Sequence, residues 1–276
     1  MIDYYGTNNY VKDKVIVITG ASGGFGAATA IKAGAMRGKV VLAARREDKL
    51  KANVEAIRAA GGEAEYIVTD VREQAQCEAM IAFAIEKYGR VDVLVNDAGT
   101  MPQAFYADHV IAMNAWEQCL DTAIYGTLYS TCAVYDHMIQ QGRGHVINVS
   151  SILGNLAVNG NAVYNVSKVG VRFLAESLRT EARGKIKTTV IRPTSVSTTE
   201  LGMTIENVNA AMAGMYGKLF EAMGAPQAGA KDRNSVQYGE PTAEDLADNI
   251  IYAINQPWGV DISDITVRAT GEHMFC

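Results

Sequence analysis

Cysteine and histidine are both scarce. The four cysteines, Cys77, Cys119, Cys132 and Cys276, are scattered through 276 residues and form no C-x-x-C pair, and only 4 histidines accompany them. Neither a disulfide framework nor a metal site is supported, and a reducing, cytoplasmic setting is expected. Positive charge is not in excess. Lys and Arg number 25 against 30 Asp and Glu, a formal net charge of −5, which argues against nucleic acid held on a basic surface. No apolar stretch is long enough to span a membrane. The N-terminus has no basic segment followed by an apolar run, so no signal peptide is expected. Internal repeats, low-complexity segments and linkers are also missing. One domain covering 1–276 is the economical expectation.

What is present is a core-forming chain, 49% hydrophobic and 20% charged. Lys14-Val-Ile-Val-Ile-Thr19 reads as a short apolar strand buried on both faces, after a loose arm over 1–13. It runs into Thr19-Gly-Ala-Ser-Gly-Gly-Phe-Gly26, which opens a helix of small residues. Glycines belong where backbone must turn tightly and approach a diphosphate, and the helix N-terminus offers that anion free N–H groups. Gly20, Ser22, Gly24, Phe25 and Gly26 are therefore candidate coenzyme contacts. The spacing is G-x-x-x-G-x-G, and no Gly-Lys-Ser/Thr follows, so this is not a P-loop.

The second strand, 39–44, ends at Arg45-Arg46. In a dinucleotide fold this tip reads the adenosine ribose: a carboxylate favours a free 2′-hydroxyl, an arginine a 2′-phosphate. Arg45 and Arg46 therefore predict NADP(H) over NAD(H). Helices over 47–60 and about 73–88 flank a third strand, 64–69, with Asp70 and Val71 at its tip beside the expected adenine. The fourth strand, 91–95, leads into Asn96-Asp-Ala-Gly99. There Ala98 and Gly99 let the chain run close to a ribose, and Asn96 can pin neighbouring backbone. A long helical stretch over 108–141 carries more apolar surface than one side of a sheet needs, which predicts a subunit interface. Strands follow at 145–149, 188–191 and 260–267, with a last helix at 242–255 opened by Pro241-Thr242. The alternation predicts a doubly wound, seven-stranded parallel α/β sheet between two helical layers. Residues 199–240 lack strand character. Their methionines, among them Met203, Met212, Met215 and Met223, suggest a flap that adapts to a bulky apolar substrate.

The chemistry centres on Ser151, Tyr164 and Lys168. Val163, Val166, Gly170, Phe173 and Leu174 recur at helical spacing, so Tyr164 and Lys168 share one helix face at i and i+4. A free tyrosine has a pKa of about 10 and is a poor acid or base at neutral pH. A fixed positive charge beside it stabilises the phenolate and lowers that value. Ser151 ends a buried strand, where its hydroxyl can hold a substrate oxygen while Tyr164 exchanges the proton.

Together these residues resemble the short-chain dehydrogenase/reductase family: the glycine motif, Asp70, Asn96-Asp-Ala-Gly99, Ser151 and Tyr164-x-x-x-Lys168 stand in its order over about residues 12–268. The resemblance implies a Rossmann fold and hydride transfer between a nicotinamide and a carbonyl or alcohol carbon. It implies that Tyr164 is the general acid or base, that Lys168 holds the nicotinamide ribose, and that Ser151 orients the substrate. Pro193, Val196 and Thr198 would contact the carboxamide and diphosphate. The family is typically dimeric or tetrameric through helices at 108–141 and 162–183. Three positions depart from it. Ala123 stands where the family carries a relay Asn, Pro193-Thr194 replaces Pro-Gly, and Asp97 replaces the second Asn of its motif. Two alternatives therefore accompany the ketone/alcohol reading: a coenzyme-binding sensor with little turnover, or reduction of C=N or C=C bonds.

Overall fold

The computed structural model describes residues 8–196, 200–213 and 229–272. Its strands are β1 (Val15–Thr19), β2 (Lys39–Ala44), β3 (Glu63–Val68), β4 (Val93–Asn96), β5 (Gly144–Val149), β6 (Ile186–Pro193) and β7 (Asp264–Val267). They form one seven-stranded sheet in the order β3-β2-β1-β4-β5-β6-β7. Every pairing is parallel. The helices are α1 (Gly24–Ala35), α2 (Glu47–Ala59), α3 (Gln74–Tyr88), α4 (His109–Leu120), α5 (Gly126–Gln141), α6 (Ala162–Glu181), the short α7 (Val208–Ala211) and α8 (Ala243–Ile254).

Alternation along each strand sorts side chains onto two faces. Ile16, Ile18, Val40 and Leu42 pack with Leu50 and Ile57 of α2 and Leu246 and Ile250 of α8. Val17, Val41 and Leu94 pack the other way, on Met80 and Ile81 of α3, Val134 and Met138 of α5 and Leu178 of α6. Each such fully buried aliphatic side chain contributes roughly 1.5–3 kcal/mol of transfer free energy. A strand covered on both faces has to be apolar throughout, and all five residues of β1 are buried.

Several boundaries differ from the sequence expectation. The stretch expected as one helix begins with a 3₁₀ turn, Tyr106–Asp108. A π-helical turn, Asp121–Tyr125, then joins α4 to α5. β7 starts at Asp264 rather than 260. The chain before it turns, with Val260 N–H bonded to Pro257 O, and Asp261 offers its carboxylate, not its backbone, to Thr188 N at 3.5 Å. The described part of the N-terminal arm is not loose. Val11 is fully buried, and Tyr10 N donates to Asn255 Oδ1 at 2.8 Å. An apolar side chain inside the core outweighs the polar, turn-rich composition around it. Elsewhere punctuation acts as expected. Gly89 and Gly142 end α3 and α5 with φ of 76° and 74°, and Thr242 with Asp245 makes a capping box at the start of α8.

Candidate active site

A doubly wound sheet opens a crevice where the strand order reverses, at the carboxyl ends of the strands on either side. Here that point lies between β1 and β4, and a cleft of about 400 Å³ stands above it. Its floor at one end is the glycine turn. Gly20 has φ of +70°, and a Cβ on it would come within 2.9 Å of Ala98 N. Thr19 locks the two strand ends together from below. Its Oγ1 accepts from Asp97 N at 3.1 Å and Ala98 N at 3.3 Å and donates to Val95 O at 3.3 Å. Nothing in the sequence beyond its position before Gly20 marked Thr19 for this task.

Gly20, Ser22, Gly24 and Phe25 line the cleft, as do Arg45, Arg46, Asp70, Val71, Ala98, Gly99, Ser151, Tyr164, Lys168, Pro193 and Val196. The topology explains this gathering: most of these residues follow the carboxyl end of a strand. Arg46 turns its guanidinium onto Ser22 Oγ, with Nε at 3.2 Å and a terminal nitrogen at 2.8 Å. This joins the β2 tip to the glycine turn. Asp70 is clamped by Arg72, at 2.9 and 3.1 Å from Nε and 2.6 Å from Nη2. The Arg72 hydrogen bonds hold the Asp70 carboxyl below its usual range.

Two predicted contacts do not reach the wall of the cleft. Asn96 is buried beneath it and donates to Asn148 Oδ1 at 2.8 Å. The two asparagines face each other across the β4–β5 ladder, so Asn96 serves the sheet. Gly26 lies behind the glycine turn, where a Cβ would come within 2.8 Å of Gly20 O. Thr198 lies outside the described residues, as do Met215 and Met223. Of the expected flap, Leu201, Gly202, Met203 and Thr204 line the cleft. They belong to a 3₁₀ turn, Glu200–Thr204, tied down where Met101 N donates to Thr204 Oγ1 at 2.8 Å.

At the other end, α6 carries Tyr164 and Lys168, both about 5% exposed (5% and 6%). The Lys168 Nζ lies 5.6 Å from the Tyr164 ring centroid and donates to Val149 O at 3.0 Å. An ammonium has three donors, and Gly99 leaves room beside it: a Cβ there would sit 3.5 Å from Nζ. Burial lowers the Lys168 pKa, while Cys119 and Asp97 pull it back up. Ser151 stands in extended backbone before a 3₁₀ turn, Ile152–Gly154. Its Oγ accepts from Leu153 N at 3.1 Å, so its hydroxyl hydrogen remains to donate. Ser150, passed over in the sequence, anchors α6 by donating to Lys168 O at 2.8 Å. Ala123 is buried in the π-helical turn, and its neighbour Thr122 lines the cleft.

The cleft fits a dinucleotide. The side-chain-free Gly20 and Gly99 leave backbone and amine accessible, a helix N-terminus follows the glycine turn, and two arginines mark the far end. No helix among the described residues is long and apolar enough to cross a membrane, and they hold no metal-binding group of His, Cys, Asp or Glu.

Known proteins share this plan. An uncharacterized oxidoreductase of Listeria innocua, Lin0452, is 36% identical, with 94% of this chain and 98% of that protein covered. The closed form of serine dehydrogenase complexed with NADP+ is 27% identical with a TM-score of 0.73, over 92% of this chain and 94% of that one. Actinorhodin polyketide ketoreductase with NADPH is 27% identical with a TM-score of 0.77, over 94% and 97%. The family model for the short chain dehydrogenase matches residues 14–209, and with the parallel sheet, the glycine turn and the Ser151, Tyr164 and Lys168 cluster in place, the chain belongs to the short-chain dehydrogenase family of oxidoreductases.

Proposed function

We propose that this protein is an NADP(H)-dependent oxidoreductase that interconverts a secondary alcohol and a ketone, with a bulky apolar substrate. The observation that carries the reading is a cleft with arginines at one end and Tyr164 beside Lys168 at the other. NADP+ and NADPH in the two structural relatives support the coenzyme. Arg45 and Arg46 would meet the 2′-phosphate, the glycine turn the diphosphate, and Lys168 the nicotinamide ribose. When bound, the reduced coenzyme supplies a hydride to the carbonyl carbon. Ser151 donates a hydrogen bond to the carbonyl oxygen, and Tyr164 gives that oxygen its proton. Lys168 stabilises the phenolate left behind, and solvent restores the proton. Met203 and Leu201 on the cleft wall support an apolar substrate.

Initial rates with NADPH and NADH across a panel of ketones test the reading. Turnover that favours NADPH and vanishes in Tyr164→Phe is expected. Ala123 favours a second reading, a coenzyme sensor: a buried methyl stands where a polar relay group would serve. Tight NADPH binding without turnover of any ketone, imine or enone would select it. A homo-oligomer is part of the proposal, because Val110, Ile111, Leu128, Val166 and Phe173 stay exposed on α4, α5 and α6. Phe173→Glu should lower the mass measured by light scattering.

A further inference from the structure

We propose that Asp97 is a positioning residue for the coenzyme: its carboxyl group, set against the first turn of α1 and facing Lys168, makes dinucleotide affinity depend on its own proton. This rests on the reading of the cleft as a dinucleotide site. It goes beyond that reading by placing an acid in an anion pocket.

The geometry is specific. The Asp97 backbone is fixed by the Thr19 hydroxyl. Its Oδ2 lies 2.9 Å from where a Cβ of Gly26 would stand, so the carboxyl fills the space that glycine leaves. Asp97 also lines the cleft together with Gly20, Ser22 and Gly24. A helix N-terminus carries roughly half a positive charge, and this attracts a diphosphate. A carboxylate already seated there cancels much of that attraction, whereas a neutral carboxyl does not.

The surroundings set the balance. From α6, Lys168 favours the ionised form, and from α1 the Gly26 N–H does the same. From α4, the Cys119 thiol faces Lys168 and donates to Thr100 O at 3.4 Å. From β1, Thr19 presents a neutral hydroxyl. Although Asp97 touches the cleft, the protein packed around its carboxyl outweighs these groups and pushes its pKa up to about 7. Near neutral pH the group is therefore poised between its two forms. Because the diphosphate is itself anionic, binding it favours the neutral form, and the protein takes up a proton as it binds.

Calorimetric titration of the full chain with NADH and with NADPH, from pH 6 to 8.5, tests this. NADH has no 2′-phosphate, whose second ionisation near pH 6 complicates NADPH. Wild-type affinity for either coenzyme should fall about tenfold across the range. The heat should depend on buffer ionisation enthalpy, reporting proton uptake. Asp97→Asn should bind at least as tightly as the wild type does at pH 6, with a flat profile and no uptake. A flat wild-type profile overturns the proposal without any variant, and so does an unchanged slope in Asp97→Asn. The preference for NADPH over NADH is scored separately and tests the coenzyme reading. Binding of neither coenzyme overturns both.

Discussion

Both ends of the sheet bury lysine, two at one end and one at the other, and they use it differently. At the amino ends of the strands, Lys14 donates to Ile254 O at 2.7 Å and lies 4.7 Å from the Trp258 ring centroid. Lys187 reaches Pro257 O at 3.3 Å and the same ring at 5.9 Å. These amines cap the last carbonyl of α8 and brace the turn after it. At the carboxyl ends, Lys168 also donates to a carbonyl, Val149 O, but stands beside Gly99 and an open cleft. Burial lowers the pKa of all three. A perturbed lysine therefore does not mark a site by itself. Space next to the amine, with a titratable partner across it, does.

The sharpest break between the two ends is catalytic. Tyr164→Phe should cost at least about 1,000-fold in kcat, as expected for loss of a general acid, whereas Lys14→Met should leave kcat within about threefold; steady-state rates on one ketone decide it. Next comes coenzyme choice. The double change Arg45→Asp with Arg46→Asp should weaken NADPH relative to NADH by about 100-fold in kcat/KM, the worth of one or two charge-assisted hydrogen bonds. Arg46→Asp also removes the link to Ser22, so Arg45→Asp alone should show the smaller part of that shift.

Stability then separates the ends in the opposite sense. Lys14→Met should lower stability by about 1–2 kcal/mol in urea, through one hydrogen bond and one cation–π contact. The dependence of stability on pH divides the two ends as well. Burial first, and Lys187 second, lower the Lys14 pKa from 10.5 to about 8. Between those values the unfolded chain holds more protons, so this lysine makes stability rise with pH. Asp97 acts the other way. Its pKa rises from 3.8 to about 7, the folded chain holds more protons, and stability falls as pH climbs through that window. Thermal melts from pH 4 to 10 should show both slopes, the first flattened in Lys14→Met and the second in Asp97→Asn.

Much of this was readable in the residues. Apolar runs of five or six between glycine-punctuated helices define a parallel sheet, because strands covered on both faces leave no alternation to confuse. Tyr164 and Lys168 were readable because helical spacing is rigid. Asn96 is harder to read, since a polar residue at a strand tip can face the ligand or the neighbouring strand, and the pairing with Asn148 follows only from the β4–β5 register. Thr19 and Asp97 meet across 77 residues of intervening chain, a contact that no local pattern encodes. The π-helical turn was hidden because an extra residue in a helix leaves composition unchanged.

The strand order also has a consequence for how the molecule comes into being. β1, buried along its whole length, pairs on one side with β2, which follows it directly in the chain, and on the other with β4, which is made only after β3. Until Val93–Asn96 has been synthesised, the edge of Ile16, Val17 and Ile18 that faces β4 has no strand to pair with. Nascent chains stalled before that point should be the ones that chaperones hold.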